Sequence, residues 1–288
     1  MKRLIVILGL CLSACATAPQ QAALPGSASP AALAPPCDPP LEIPPGLVAS
    51  VRAQFDDART GPSPAMAPGD IAAYQKMQIT QQKRDWSNLC NFRADNLALS
   101  RLPADPRRVV FMGDSITQNW LLAHPNFFAS HLVNRGISGQ TTPQMLIRFR
   151  ADVIALHPAA VHILAGVNDI AGNTGPSTLA AIEDNIAGMV EIARANGVRV
   201  ILASPLPADG FTWAPTARPA NDVRDLNSWV RDYAARNHIA YADYYTPMAT
   251  PSGGLKPELT LDGVHPNKRG YELMEPIART AIAATTPH

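Results

Sequence analysis

Apolar residues recur at helical intervals from about position 47 to 100, and from 107 onward the pattern changes to short apolar runs separated by helical stretches. In the first region Leu47, Val48, Val51 and Phe55 share one helical face, and Ile71, Tyr74, Met77, Trp86, Leu89 and Phe92 continue the series. This predicts an α-helical extension docked on whatever follows. In the second region Arg108–Met112, His131–Asn134, Val161–Ala165, Val198–Ala203 and Ile239–Ala242 read as strands. Their alternation with helical patterns predicts an α/β fold, a central parallel sheet with helices on both faces. The clearest helix carries Leu179, Ile182, Ile186, Met189 and Ala193 on one stripe, with Ser177 or Thr178 as N-cap and Gly197 as terminator. Asp222–Asn237 and Asn267–Ala284 read as two more helices, the second strained by Pro276 in its interior.

Composition adds a core but no nucleic-acid footprint. The 288 residues are 47% hydrophobic and 16% charged, with a formal net charge of +1 and no basic run. At the N-terminus Lys2 and Arg3 precede an apolar stretch, Leu4–Leu12, too short to span a bilayer. Leu12-Ser13-Ala14-Cys15 then resembles the lipobox of bacterial lipoproteins. That resemblance implies a signal peptide over 1–14, lipid on Cys15 and a membrane anchor at the periplasmic face; Ala16 in place of Asp points to the outer membrane. An ordinary secretory signal cut near Ala14 or Ala18 is the alternative. Residues 15–36 are rich in Ala and Pro and read as a tether, 37–104 as the helical extension, and 105–288 as the main domain. With Cys11 in the signal and Cys15 lipidated, Cys37 and Cys90 remain. Two readings stand for them: a disulfide stapling the N-terminal arm to a later helix, or two separate cysteines.

Ligands of an open α/β sheet meet the carboxyl ends of its strands, so the informative residues are those in the turns that follow each run. Gly113-Asp114-Ser115-Ile116-Thr117 places a serine where a strand passes into a helix, a position that also suits a simple N-cap. Gly136-Ile137-Ser138-Gly139 offers an unhindered backbone amide, and Gly166-Val167-Asn168-Asp169 a side-chain amide; a plain turn accounts for either one alone. In Leu261-Asp262-Gly263-Val264-His265 a carboxylate precedes an imidazole by three residues, close enough to fix its tautomer. His124, His131, His157, His162 and His238 read as surface or core residues, and no histidine or cysteine pair has metal-ligand spacing, so no metal or cofactor is expected.

Serine, glycine, asparagine and Asp-x-x-His at successive strand ends resemble the four blocks of the GDSL/SGNH hydrolase family, over roughly residues 105–285. The resemblance implies a three-layer, flavodoxin-like fold and a serine ester hydrolase. Carried over, it implies Ser115 as nucleophile, His265 as base then acid, and Asp262 as its partner. The oxyanion donors would be the amides of Ser115 and Gly139 and the side chain of Asn168. Asp114 and Asp169 read as structural. Phe211 and Trp213 are offered as walls for an acyl group or sugar, and the segment 246–260 as a cover for the site. The expected substrate is a short acyl ester, an acetylated glycan or small ester of the cell envelope. Lysophospholipase or arylesterase activity, acyl transfer to a glycan, and a non-catalytic envelope-binding lipoprotein are the alternatives.

Overall fold

A computed structural model describes residue 37 and residues 41–56, 67–103 and 105–285, all within one compact unit. The readings of a signal peptide, a lipidated Cys15 and a tether lie outside the described residues.

In chain order the elements are α1 (Pro45–Ala53), α2 (Pro68–Arg84), α3 (Arg93–Ser100), β1 (Val109–Gly113), α4 (Ser115–Ala123), β2 (Leu132–Gly136), α5 (Thr142–Asp152), β3 (Ala160–Leu164), α6 (Val167–Ile170), α7 (Leu179–Ala195), β4 (Arg199–Ala203), α8 (Ala220–Arg236), β5 (Ala240–Ala242), α9 (Tyr245–Met248) and α10 (Lys268–Thr285). The five strands form one parallel sheet in the order β2-β1-β3-β4-β5, with Val109 opposite both Leu132 and Ala160. This is the flavodoxin-like order, whose direction of winding reverses between β1 and β3. All five residues of β1 are buried, as expected of an apolar run covered on both faces.

Alternation along β1 divides the core. Val109 and Phe111 pack with Trp120, Tyr271 and Met274 beneath α4 and α10. Val110 and Met112 face the other way, onto Met145, Phe149, Ile182 and Val230 of α5, α7 and α8. The result is three layers. His162, fully buried in β3, stacks on Phe111 at 4.5 Å and pairs Nε2 with the Tyr244 hydroxyl at 2.9 Å; burial pushes its pKa down to about 3, so it stays neutral.

Helix starts follow local chemistry. Asp114 caps α4 by accepting from the Ile116 amide at 2.9 Å, Thr141 and Gln144 form a capping box on α5, and Thr178, not Ser177, caps α7. Gly197, at φ +72°, ends the turn after α7. α10 runs through Pro276, which removes one intrahelical hydrogen bond, because Tyr271, Met274, Ala278 and Ala281 keep its inner stripe buried.

The extension departs from the sequence reading at 85–92. Asp85 Oδ1 and Oδ2 accept from the amides of Leu89 and Cys90 at 2.9 and 2.7 Å, and Asn88 adopts φ 59°. The chain therefore turns, and Trp86 and Leu89 lie in that turn, with Phe92 at the N-cap of α3, not on a helical stripe. Cys37 and Cys90 form a disulfide, and its distal end sits in the same turn and not on a helix. None of α1, α2 or α3 carries a buried residue, so the extension is held by its edges. Phe55 packs on Tyr271 with ring centroids 6.1 Å apart, Asn96 donates to Asp152 at 2.6 Å, and Arg135 pairs with Asp95 at 2.6 Å while covering the Phe92 ring.

Candidate active site

Ser115 is the first residue of α4, immediately after the carboxyl end of β1. Its Oγ lies 2.9 Å from Nε2 of His265, and Nδ1 of the same ring lies 2.8 Å from Asp262 Oδ2. Asp262 Oδ1 accepts from the amides of Val264 and His265, at 3.0 and 2.8 Å. The turn needs Gly263 at φ +90°, and Thr260 closes it by accepting from the Gly263 amide and donating to the His265 carbonyl, each at 2.9 Å. With Asp262 ionised, Nδ1 carries the proton and donates it to the carboxylate. Nε2 is then the free base facing the hydroxyl.

The charges keep Asp262 ionised and make His265 the stronger base. Burial works against the imidazolium of His265, yet the hydrogen bond and charge of Asp262, with a smaller contribution from Asp114, hold its pKa above the ordinary value. Burial opposes ionisation of Asp262 too, and its bonds from His265 and Val264 more than offset this, so its pKa falls below the usual carboxylate value. Asp114 and Asp169 are pushed up to about 6 by burial. Asp169 accepts from the amide and hydroxyl of Thr142 and so ties α6 to α5.

Two unpaired backbone amides and one engaged side-chain amide line the cleft at Ser115. The backbone amides of Ser115 and Gly139 have no hydrogen-bond partner among the described residues. Gly139 sits at φ +76°, a conformation a side chain would strain. Asn168 is the second residue of α6, after β3, and its Nδ2 donates to the Gln140 carbonyl at 3.0 Å and to Asp114 Oδ2 at 3.2 Å. Both protons of that amide are therefore engaged in the free protein.

Two side chains that sequence reading passed over hold this array. Asn173 donates from Nδ2 to Asn168 Oδ1 at 2.9 Å and to the Gly139 carbonyl at 3.1 Å, and its Oδ1 accepts from Trp213 Nε1 at 3.0 Å. The only signal in the sequence is its place in Gly172-Asn173-Thr174-Gly175, which reads as an ordinary turn. Arg148, fully buried, donates to Gln140 Oε1 at 2.5 Å, Asp152 at 3.0 Å and the Gly113 carbonyl at 3.0 Å. It therefore braces the segments that carry Ser115 and Gly139 together; burial lowers its pKa to about 10, which leaves it cationic.

A cleft of about 400 Å³ opens over Ser115 and His265. Trp213 forms one wall, its ring centroid 6.0 Å from that of His265. Phe211 does not line the cleft, a correction to its reading as a second wall. A turn over 211–214 sends it inward, onto Val167, Ala208 and Val264, where it backs Trp213 at 5.1 Å. The segment 246–260 does not cover the site either: it contributes nothing to the lining and places Met248, Leu255 and Leu259 in the core instead. A second hollow, of about 300 Å³, lies by His157 and Val198 at the amino ends of the strands, away from this array. Among the described residues no group of three or more His, Cys, Asp or Glu could hold a metal ion.

The sequence profile of the GDSL-like lipase/acylhydrolase family matches residues 111–273. The esterase TesA of Pseudomonas aeruginosa is 28% identical over 186 residues, which cover 59% of this chain and 85% of that protein. A GDSL-like lipase structure from Bacteroides thetaiotaomicron is 43% identical, with a TM-score of 0.68, and covers 69% of this chain and 99% of its own. A candidate acylhydrolase from Bacteroides fragilis is 44% identical, with a TM-score of 0.69, over 70% of this chain and 99% of its own.

Proposed function

Because the chain belongs to the GDSL-like lipase/acylhydrolase family and is a serine ester hydrolase, we propose that Ser115, His265 and Asp262 are its catalytic triad and that it removes short acyl groups, acetyl foremost, from glycans or small esters of the cell envelope. Ser115 Oγ attacks the ester carbonyl as its proton passes to His265 Nε2. The oxyanion that forms is met by the amides of Ser115 and Gly139 and by Asn168 Nδ2. Collapse expels the alkoxide, which takes the proton back from Nε2 and leaves an acyl group on Ser115. Water, losing a proton to the same nitrogen, then attacks the acyl carbon; collapse breaks the bond to Ser115 Oγ, which takes that proton back from Nε2, and the carboxylic acid leaves. Asp262 stays ionised throughout and stabilises the imidazolium.

The observation that carries the short-acyl reading is the cleft's lining, which holds no aliphatic side chain. A long acyl chain gains about 0.8 kcal/mol per methylene only where apolar surface receives it, and the only large apolar surfaces in this lining are the rings of Tyr74 and Trp213. Turnover of p-nitrophenyl esters from acetyl to octanoyl is the test. The reading expects kcat/KM to be highest for acetate and about tenfold lower for octanoate, a difference of the size one apolar subsite sets. A flat or rising profile would instead favour a lysophospholipase or broad arylesterase.

We also propose that Cys15 carries lipid and holds the enzyme at the periplasmic face of the outer membrane. Support comes from Lys2, Arg3 and the Leu12-Ser13-Ala14-Cys15 motif, and for the outer membrane from Ala16 in place of Asp.

A further inference from the structure

We propose that α2 of the N-terminal extension, together with Trp213 opposite it, forms a subsite for the alcohol part of the ester, and that this part is a neutral sugar unit. The inference rests on the reading of Ser115 and His265 given above and adds which residues choose the leaving group.

Tyr74, Gln78 and Gln82 are spaced four residues apart on α2, which sets them in one line along the helix, and all three face the cleft that holds Ser115 and His265. Their side chains have no hydrogen-bond partner among the described residues. Neighbouring Gln81 differs, since its Nε2 is engaged by the Asp85 carbonyl at 2.5 Å at the end of the helix. Each free carboxamide offers two donors and an acceptor, the complement of a hydroxyl that both gives and takes a proton.

The rest of the lining narrows the ligand. Apart from His265 it includes no acidic or basic side chain, so a phosphate or choline headgroup would find no counter-charge. It includes no aliphatic side chain, so its large apolar surface is confined to the rings of Tyr74 and Trp213, set among amides that an apolar alcohol would leave unpaired. What it does offer is one fixed aromatic plate. Trp213, 43% exposed, is held by its bond to Asn173 and its stack on Phe211, and stands beside the ring that must return a proton to the leaving alkoxide. An indole face suits the C–H face of a pyranose while amides satisfy its hydroxyls.

The wall is built into the fold. Gln140 Nε2 donates to the Ser87 carbonyl at 2.9 Å and Gln144 Nε2 to the Trp86 carbonyl at 2.7 Å, which fixes the turn after α2 to the loop that carries Gly139 and to the first turn of α5. The Cys37–Cys90 disulfide ties the same turn to the start of the extension.

The test compares the monoacetate of methyl glucoside with p-nitrophenyl acetate as substrates of the whole protein, for wild type, Gln78→Ala/Gln82→Ala and Trp213→Ala, with thermal midpoints showing that each variant folds. Loss of two hydrogen bonds to the sugar should lower the preference for sugar acetate over p-nitrophenyl acetate about tenfold, through KM and not kcat. Trp213→Ala should lower it in the same direction. A preference that stays at the wild-type value in both folded variants overturns the subsite. Ser115→Ala separates the two levels: if it loses both acetates while the preference is unmoved in the other variants, only the subsite fails, whereas if it keeps both, the underlying reading fails.

Discussion

Asp262 shows how much one side chain is asked to do here: it fixes the His265 ring through Nδ1, closes its own turn through two backbone amides, and raises the imidazole pKa. Only neutral imidazole can take the serine proton, so kcat/KM rises with pH through the free-enzyme His265 pKa. Because that pKa is raised, the acid limb should lie above the ordinary imidazole value of about 6.5. Asp262→Asn removes the raising charge and supports the wrong tautomer. It should move the acid limb to lower pH and cut turnover about 10³–10⁴-fold; a limb that moves upward, or turnover near wild type, contradicts the assignment. The Asp262–His265 turn was legible in the sequence because its signal is local, a carboxylate three residues before an imidazole, whereas Ser115 alone read equally as an N-cap and stood out only with Gly139, Asn168 and that turn in order along the chain. Asn173 and Arg148 were not legible, because what they do consists of bonds to Gly139, Trp213, Gln140 and Gly113, residues joined only by the fold. Phe211 was misplaced for a related reason: a two-residue spacing says nothing about a turn that points one ring inward and the next outward.

At the scale of elements, the strands were readable to within one or two residues, most clearly β1 and β3, which are covered on both faces and buried along their whole length, while the edge strand β2 carries Asn134 and Arg135. The extension was readable as helical but not as three helices. Its apolar residues kept helical spacing through a turn that the Asp85 carboxylate makes, and a side-chain acceptor leaves no periodic trace. The same segment shows what a disulfide does where helices bury nothing. Cys37 and Cys90, 53 residues apart, close a loop whose entropy in the unfolded chain is worth about 4 kcal/mol as an upper figure. Cys37→Ser/Cys90→Ser is therefore expected to lower the urea midpoint of unfolding, by a stability loss of about 2–4 kcal/mol. An unchanged midpoint would show that the edge contacts of Phe55, Asn96 and Arg135 hold the extension without it.

The whole molecule brings its chemistry to one rim. β1 and β3, where the sheet's winding reverses, deliver Ser115 and Asn168 side by side, the loop after β2 adds Gly139, and the extension and Trp213 supply the walls. Among the described residues no helix is long and apolar enough to cross a membrane, and the attachment proposed above is through Cys15. Detergent-phase partitioning of the protein made in a bacterial host should place it with the membrane fraction, and Cys15→Ala should release it; equal partitioning of both would remove the anchor from the account. The most direct measurement of the central claim is covalent labelling of the folded protein with a fluorophosphonate, read as a mass shift on the peptide that holds the nucleophile. The account predicts one label per chain, on Ser115, lost in Ser115→Ala without a change in thermal midpoint; a label on another residue, or a folded wild type that takes none, would contradict it.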